Sequence, residues 1–181
     1  MTSPKARALD AAIDLVGAQG LRALTHARVD QRAGIPIGST SNYFRTRQAL
    51  LSGVLDRLLQ LEMPQVGAAA SYPASAADFV DALCELLDYT TGVDRSRTTA
   101  RLVVFLEASH DPVLREKVSR GRVAMEASVV LVMARLGARD PYAAATAVMA
   151  CSEGLILHRM ARHDDIDPRP VFELVVRAAL G

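Results

Sequence analysis

Apolar residues recur at helical spacing along almost the whole of this chain, and no other feature constrains its fold as tightly. Leu9, Ile13 and Val16 begin the pattern, Leu50, Val54, Leu58 and Leu61 continue it, and Phe79, Leu83, Leu86, Leu102, Phe105 and Leu106 extend it. No stretch sustains the period-two alternation of a half-buried strand, so the expected fold is all-α, with about nine helices. Breakers separate them: Gly20, residues 34–38, Pro64 with the run GAAASYPASA, Gly92 to Ser96, HDP at 110–112, GARDP at 137–141 and HDDIDPRP at 163–170. Thr25, Thr46, Ser75, Asp111 and Asp140 stand where N-caps belong, and Pro112 and Pro141 fall in first turns, where proline is tolerated. The small and polar stretch 64–76 is the best candidate boundary, and the expected organisation is a first domain at 1–55, before it, and a helical body at 56–181.

Half of the 181 residues are hydrophobic, enough for a substantial core, and 21 basic side chains nearly balance 20 acidic ones. The balance hides an asymmetry. Residues 1–50 hold seven basic and three acidic side chains, a net +4, which leaves −3 on the remainder. Such a basic segment suits a polyanionic partner. There is no secretory pattern and no apolar run near the ~20 residues a membrane span requires, so the expected location is cytoplasmic, without a membrane partner. Cys84 and Cys151 lie within apolar patterns and read as small buried thiols rather than a disulfide. His110, His158 and His163 have Asp164, Asp165 and Asp167 near them, but an acidic polar loop explains these residues better than a metal site does. No HExxH motif, defensible Ser/His/Asp spacing or phosphate loop is present, so neither a cofactor nor an enzymatic activity is expected.

The exception to the helical rhythm is IPIGSTSNYF, residues 35–44, where weak helix formers gather. Before it lies HARVDQRA, a short helix ending at Gly34. Two helices this short need bracing by neighbours, and the helices around 4–19 and after Thr46 supply apolar residues for it. Paired short helices joined by a glycine-containing turn form a helix-turn-helix, whose second helix enters the major groove of double-stranded DNA.

The segments ALDAAIDLVGAQGLRALTHARV (8–29), RAG (32–34), GSTSNYF (38–44) and TRQALLSGVL (46–55) together resemble the tetracycline-repressor-like (TetR/AcrR) transcriptional regulators. The Tyr-Phe pair followed by a cap, a basic residue and a Leu pair is the most specific part. The resemblance implies that the residues from Pro36 to Tyr43, including Gly38, are the recognition helix. Its small side chains then let the backbone approach the bases. Asn42 is the best candidate for pairing with adenine, Ser39 and Ser41 suit bases or phosphates, and Tyr43, Thr25 and Arg47 suit phosphates, with Lys5 and Arg7 nearby. For Arg22, Arg28 and Arg32, a solvated surface charge is the better reading.

The chain departs from the family pattern at four positions. Asp30 and Thr40 stand where the family usually has apolar residues, Pro36 replaces a serine cap, and Ile37 replaces a polar or basic residue. A carboxylate among packed side chains must be hydrogen-bonded. We therefore expect Asp30 to accept hydrogen bonds from Thr40 or from amides near Gly38 and Ser39, and Ile37 to suit a thymine methyl. For the body, the resemblance implies an effector pocket between helices at 76–91, 98–109 and 112–136, with Tyr89, Phe105, Met125, Val129 and Met133 as candidate lining. It also implies a homodimer through helices at 141–162 and 169–180, where Ala147, Cys151 and Gly154 permit close approach. The resulting expectation is a ligand-responsive repressor that binds a pseudo-palindromic operator as a dimer and answers to an unidentified small-molecule effector. A helical bundle that binds or converts small molecules and keeps a vestigial DNA-binding domain is the alternative. The basic excess confined to residues 1–50 argues against it.

Overall fold

The computed structural model describes residues 3–69 and 73–181, except the side chains of 63–69. Among them the elements are α1 (Pro4–Gln19), a 3-10 turn (Leu21–Ala23), α2 (His26–Ala33), α3 (Ser39–Tyr43), α4 (Arg47–Ala69), α5 (Ala76–Thr91), α6 (Arg95–Glu107), α7 (Pro112–Arg135), α8 (Pro141–Leu157) and α9 (Pro168–Leu180). No strand occurs among the described residues. The expected caps form: Thr25, Thr46, Ser75, Asp111 and Asp140 each accept a hydrogen bond from an amide in the first turn that follows. No helix among the described residues is long and apolar enough to cross a membrane.

Several boundaries differ from the sequence reading, among them that of α6, which begins at Arg95 inside the expected breaker. The helix expected to enter the groove, α3, begins at Ser39, not at Pro36, because Gly38 takes a left-handed φ of +90° and leaves Pro36 and Ile37 in the turn before it. Pro64 does not end α4, which runs on to Ala69. A proline removes one amide from the ladder, and the remaining bonds of a long helix carry it past. The rest of the expected boundary stretch includes residues 70–72, which lie outside the described residues. Finally, α8 stops at Leu157 and a π-type turn occupies His158–Arg162.

The chain packs as two units, neither continuous in sequence: 1–61 with 95–120, and 62–94 with 121–181. In the first, α1 packs on α2, α3 and α6. Ala8, Leu9, Ala12, Ile13 and Val16 of α1 meet Leu24, Val29, Ile35, Phe44, Leu50, Val54 and Leu58, with Ala100, Val104 and Leu114 completing the core. Two approaches in this unit are too close for a side chain. A Cβ at Gly17 would lie 2.1 Å from the Ser96 carbonyl oxygen of α6, and one at Gly53 would lie 2.6 Å from the Phe44 ring. In the second unit, α5, α8 and α9 pack together around Phe79, Val80, Leu87, Met133, Val148, Phe172 and Val176. Cys84 and Cys151 are free thiols, half-buried against that core, and burial pushes both thiols up.

Candidate nucleic-acid interface

With only eight and five residues, α2 and α3 cannot be stable by helix formation alone. Asp30 supplies much of what holds them. It is 1% exposed, and its carboxylate accepts the Gly38 amide at 2.7 Å, the Thr40 amide at 2.8 Å and the Thr40 hydroxyl, which is fully buried. Both expected donor sets are therefore engaged at once. Gly38 is the N-cap of α3 and has no side chain to cap with, so Asp30 caps α3 from outside. Burial pushes the Asp30 carboxyl up, but the Thr40 hydroxyl, the Thr40 and Gly38 amides and the nearby His26 outweigh it. The net result lies below the ordinary aspartate value.

The other end of α3 is tied as well. His26 Nε2 stands 2.6 Å from the Phe44 carbonyl oxygen, and since a carbonyl only accepts, Nε2 carries the proton and donates it. Sequence reasoning missed this contact. Nothing local marks a pairing across 18 positions, and His26 reads there as an ordinary first-turn residue.

In front of this support lies an exposed surface. Thr25, Pro36, Ile37, Ser41, Asn42, Tyr43 and Arg47 are exposed, and Gly38 and Ser39 are half-exposed, so all nine expected DNA-binding positions are accessible. Ile37 is 91% exposed. The hydroxyls differ in what they have left to offer. Thr25 Oγ accepts the Arg28 amide and keeps its proton to give, whereas Ser39 and Ser41 donate theirs to the Pro36 and Gly38 carbonyls. Arg47 donates from Nη2 to the Leu21 carbonyl at 2.8 Å, which anchors the guanidinium on the turn leading into Thr25 and leaves its other N–H groups to donate. Lys5 lies over the Phe44 ring, 5.5 Å from its centre. Arg28 bonds Gln19 and Arg32 pairs with Asp14 at 3.6 Å, in keeping with surface charges.

The charge asymmetry is larger by packing unit than by sequence segment. The unit containing α1–α3 holds fourteen basic and seven acidic side chains, because 95–120 brings Arg95, Arg97, Arg101, Arg115, Lys117 and Arg120 against three acids. The other unit holds seven basic and thirteen acidic. Of the candidate pocket residues, Phe105 packs against the first core, while Tyr89, Met125, Val129 and Met133 belong to the second unit, where Met133 is fully buried. Two grooves, of about 460 and 530 Å³, run along α9 beside α5 and α8, and none of the five lines either. Among the described residues no group of His, Cys, Asp and Glu is placed to hold a metal.

Comparison with known proteins agrees with this architecture. No curated protein matches the chain. Among solved structures, the transcriptional regulator SCO7518 from Streptomyces coelicolor A3(2) superposes with a TM-score of 0.81 at 21% identity, covering 99% of this chain and 100% of that one. The TetR family member SCO1917 from Streptomyces coelicolor A3 has a TM-score of 0.78 at 26% identity, covering 98% and 99%. The multidrug binding protein EbrR, complexed with ethidium, has 0.77 at 25%, also covering 98% and 99%. The family model described as the tetracyclin repressor-like C-terminal domain matches residues 74–181, more than half of the chain. With that match on the body and a braced helix-turn-helix ahead of it, the chain belongs to the tetracycline-repressor-like family of transcriptional regulators.

Proposed function

We propose that this regulator is a repressor that binds a pseudo-palindromic operator in double-stranded DNA as a homodimer and leaves it when a small molecule binds its body. The observation that carries the reading is the exposed, cation-free face of 36–43 beside Thr25 and Arg47, on a unit with twice as many basic as acidic side chains. The neutral face reads base edges, and its surroundings hold phosphates. Thr25 and Tyr43 donate hydroxyls to the backbone, Arg47 supplies charge, and Pro36 and Gly38 shape the turn that lets Ile37, Ser39, Ser41 and Asn42 approach. Two such faces about one duplex turn apart match a two-fold operator.

Support for pairing comes from α8 and α9. Tyr142 is 70% exposed and Leu174 64%, the groove between the helices is lined by Ala143, Ala147, Leu174 and Ala178, and nothing within 4 Å crowds a Cβ at Gly154. A second copy would cover these apolar groups. That EbrR holds ethidium supports a small-molecule effector in the body, and Tyr89, Met125, Val129 and Met133 of the second unit remain its proposed contacts.

The test is DNA binding as a function of salt. Arg47→Ala should weaken binding about equally on specific and random duplexes and lower the salt slope by about one, whereas Asn42→Ala should relax the choice at one base position. An unchanged affinity and slope for Arg47→Ala would show the docking to be wrong.

A further inference from the structure

Resting on the DNA-binding reading above, we propose that the recognition face reads an A·T core in each half-site. Asn42 takes an adenine, Ile37 a thymine methyl, and the face lacks the cationic fork that most often selects guanine. Guanine shows two acceptors in the major groove, N7 and O6, and is selected by a fork of donors, most often from Arg or Lys. Residues 35–44 contain neither.

The serine hydroxyls on this face are already occupied as donors. The Ser39 and Ser41 hydroxyl protons go to the Pro36 and Gly38 carbonyls at 2.6 and 2.8 Å, so the oxygens present only lone pairs outward. Such oxygens repel the guanine acceptors but accept from the amino groups of adenine and cytosine alike, so the choice between A·T and C·G rests on Asn42 and Ile37. The Gly38 and Thr40 amides go to Asp30, and the Ser39 amide goes to the Pro36 carbonyl. These three amides at the start of α3 therefore add no donors for guanine.

With Tyr43 assigned to the backbone, two groups carry the choice of base. The Asn42 side chain, which has no partner among the described residues, keeps both a donor and an acceptor, the pattern that matches adenine N7 and N6. Ile37 is a large apolar side chain held almost wholly in water, and the C5-methyl of thymine is the apolar group a major groove provides.

The experiment selects duplexes from a random pool with the full chain, then measures affinity by fluorescence anisotropy on the selected duplex and on modified copies. Replacing one thymine by uracil removes only a methyl and should weaken the wild type about fourfold. It should leave Ile37→Ala unaffected. Replacing one adenine by 7-deazaadenine removes one acceptor and should weaken the wild type about tenfold, with no effect on Asn42→Ala. Both variants change exposed side chains, and unchanged circular dichroism confirms their fold. Specific binding to a half-site with a G·C core, indifferent to both base changes, overturns this inference and leaves the regulator reading standing. Failure to bind any duplex at low salt overturns the regulator reading itself.

Discussion

The α2–α3 hairpin and the α8–α9 pair both turn small side chains outward, but they are supported in opposite ways. The hairpin has eight and five helical residues, few of them apolar, and it is held from behind by a buried carboxylate and a histidine. The pair has seventeen and thirteen, caps itself with Asp140 and Asp167, and buries Val148, Met149, Phe172 and Val176. A surface made to approach bases has few apolar groups with which to anchor itself, so polar groups behind it must do so. A surface suited to pairing has apolar groups on both faces, and its caps are trim rather than support.

The contrast can be broken most directly at Asp30. Asp30→Ala strands two amides and a buried hydroxyl and should cost about 3 kcal/mol or more, read as a loss of thermal stability and of DNA binding together. Its ionisation gives the same contribution a pH dependence. Because the folded value lies below the ordinary 3.8, the stabilisation is complete above about pH 4 and is lost as pH falls through the folded value, a slope Asp30→Asn should remove. Next in size is Gly17→Ala, which drives a Cβ into the Ser96 carbonyl and should destabilise the first unit by about 1–3 kcal/mol despite alanine's better helix propensity. Removing a cap from the other region by Asp167→Ala should lower Tm by only about 3 °C. If that loss equalled the loss at Asp30, the two regions would not differ as described. The smallest effect is expected at Gly154→Ala, where nothing nearby resists a methyl. In the single subunit it should be neutral or stabilising by up to about 1 kcal/mol. Sedimentation should show weaker pairing if a second copy approaches there.

Local features were the legible ones. The caps at Ser75, Asp111 and Asp140 follow from residue type and the apolar pattern after them, and each forms. Asp30 and Thr40 could be paired in advance because two polar residues at normally apolar positions of one small motif must answer each other. What the sequence concealed depends on distant partners. Gly17 reads as a weak point in a helix until Ser96, nearly eighty positions later, is found against it. The six cations of 95–120 look like part of the body until packing groups them with α1–α3. The resemblance puts the start of α3 at Pro36, and only the left-handed Gly38 shows that the helix begins after it.

The support behind the recognition helix has a consequence for how such a protein can change. Asp30, Thr40 and Phe44, which hold the hairpin, are buried, whereas Ile37, Ser41 and Asn42, which face outward, are not. Few side chains serve both purposes, so on the proposed reading exchanging the outward ones would alter which sequence is bound at little cost to folding. A new operator is then reachable by single substitutions, each passing through a folded intermediate, and the hairpin acts as an exchangeable cassette in a scaffold that need not be redesigned.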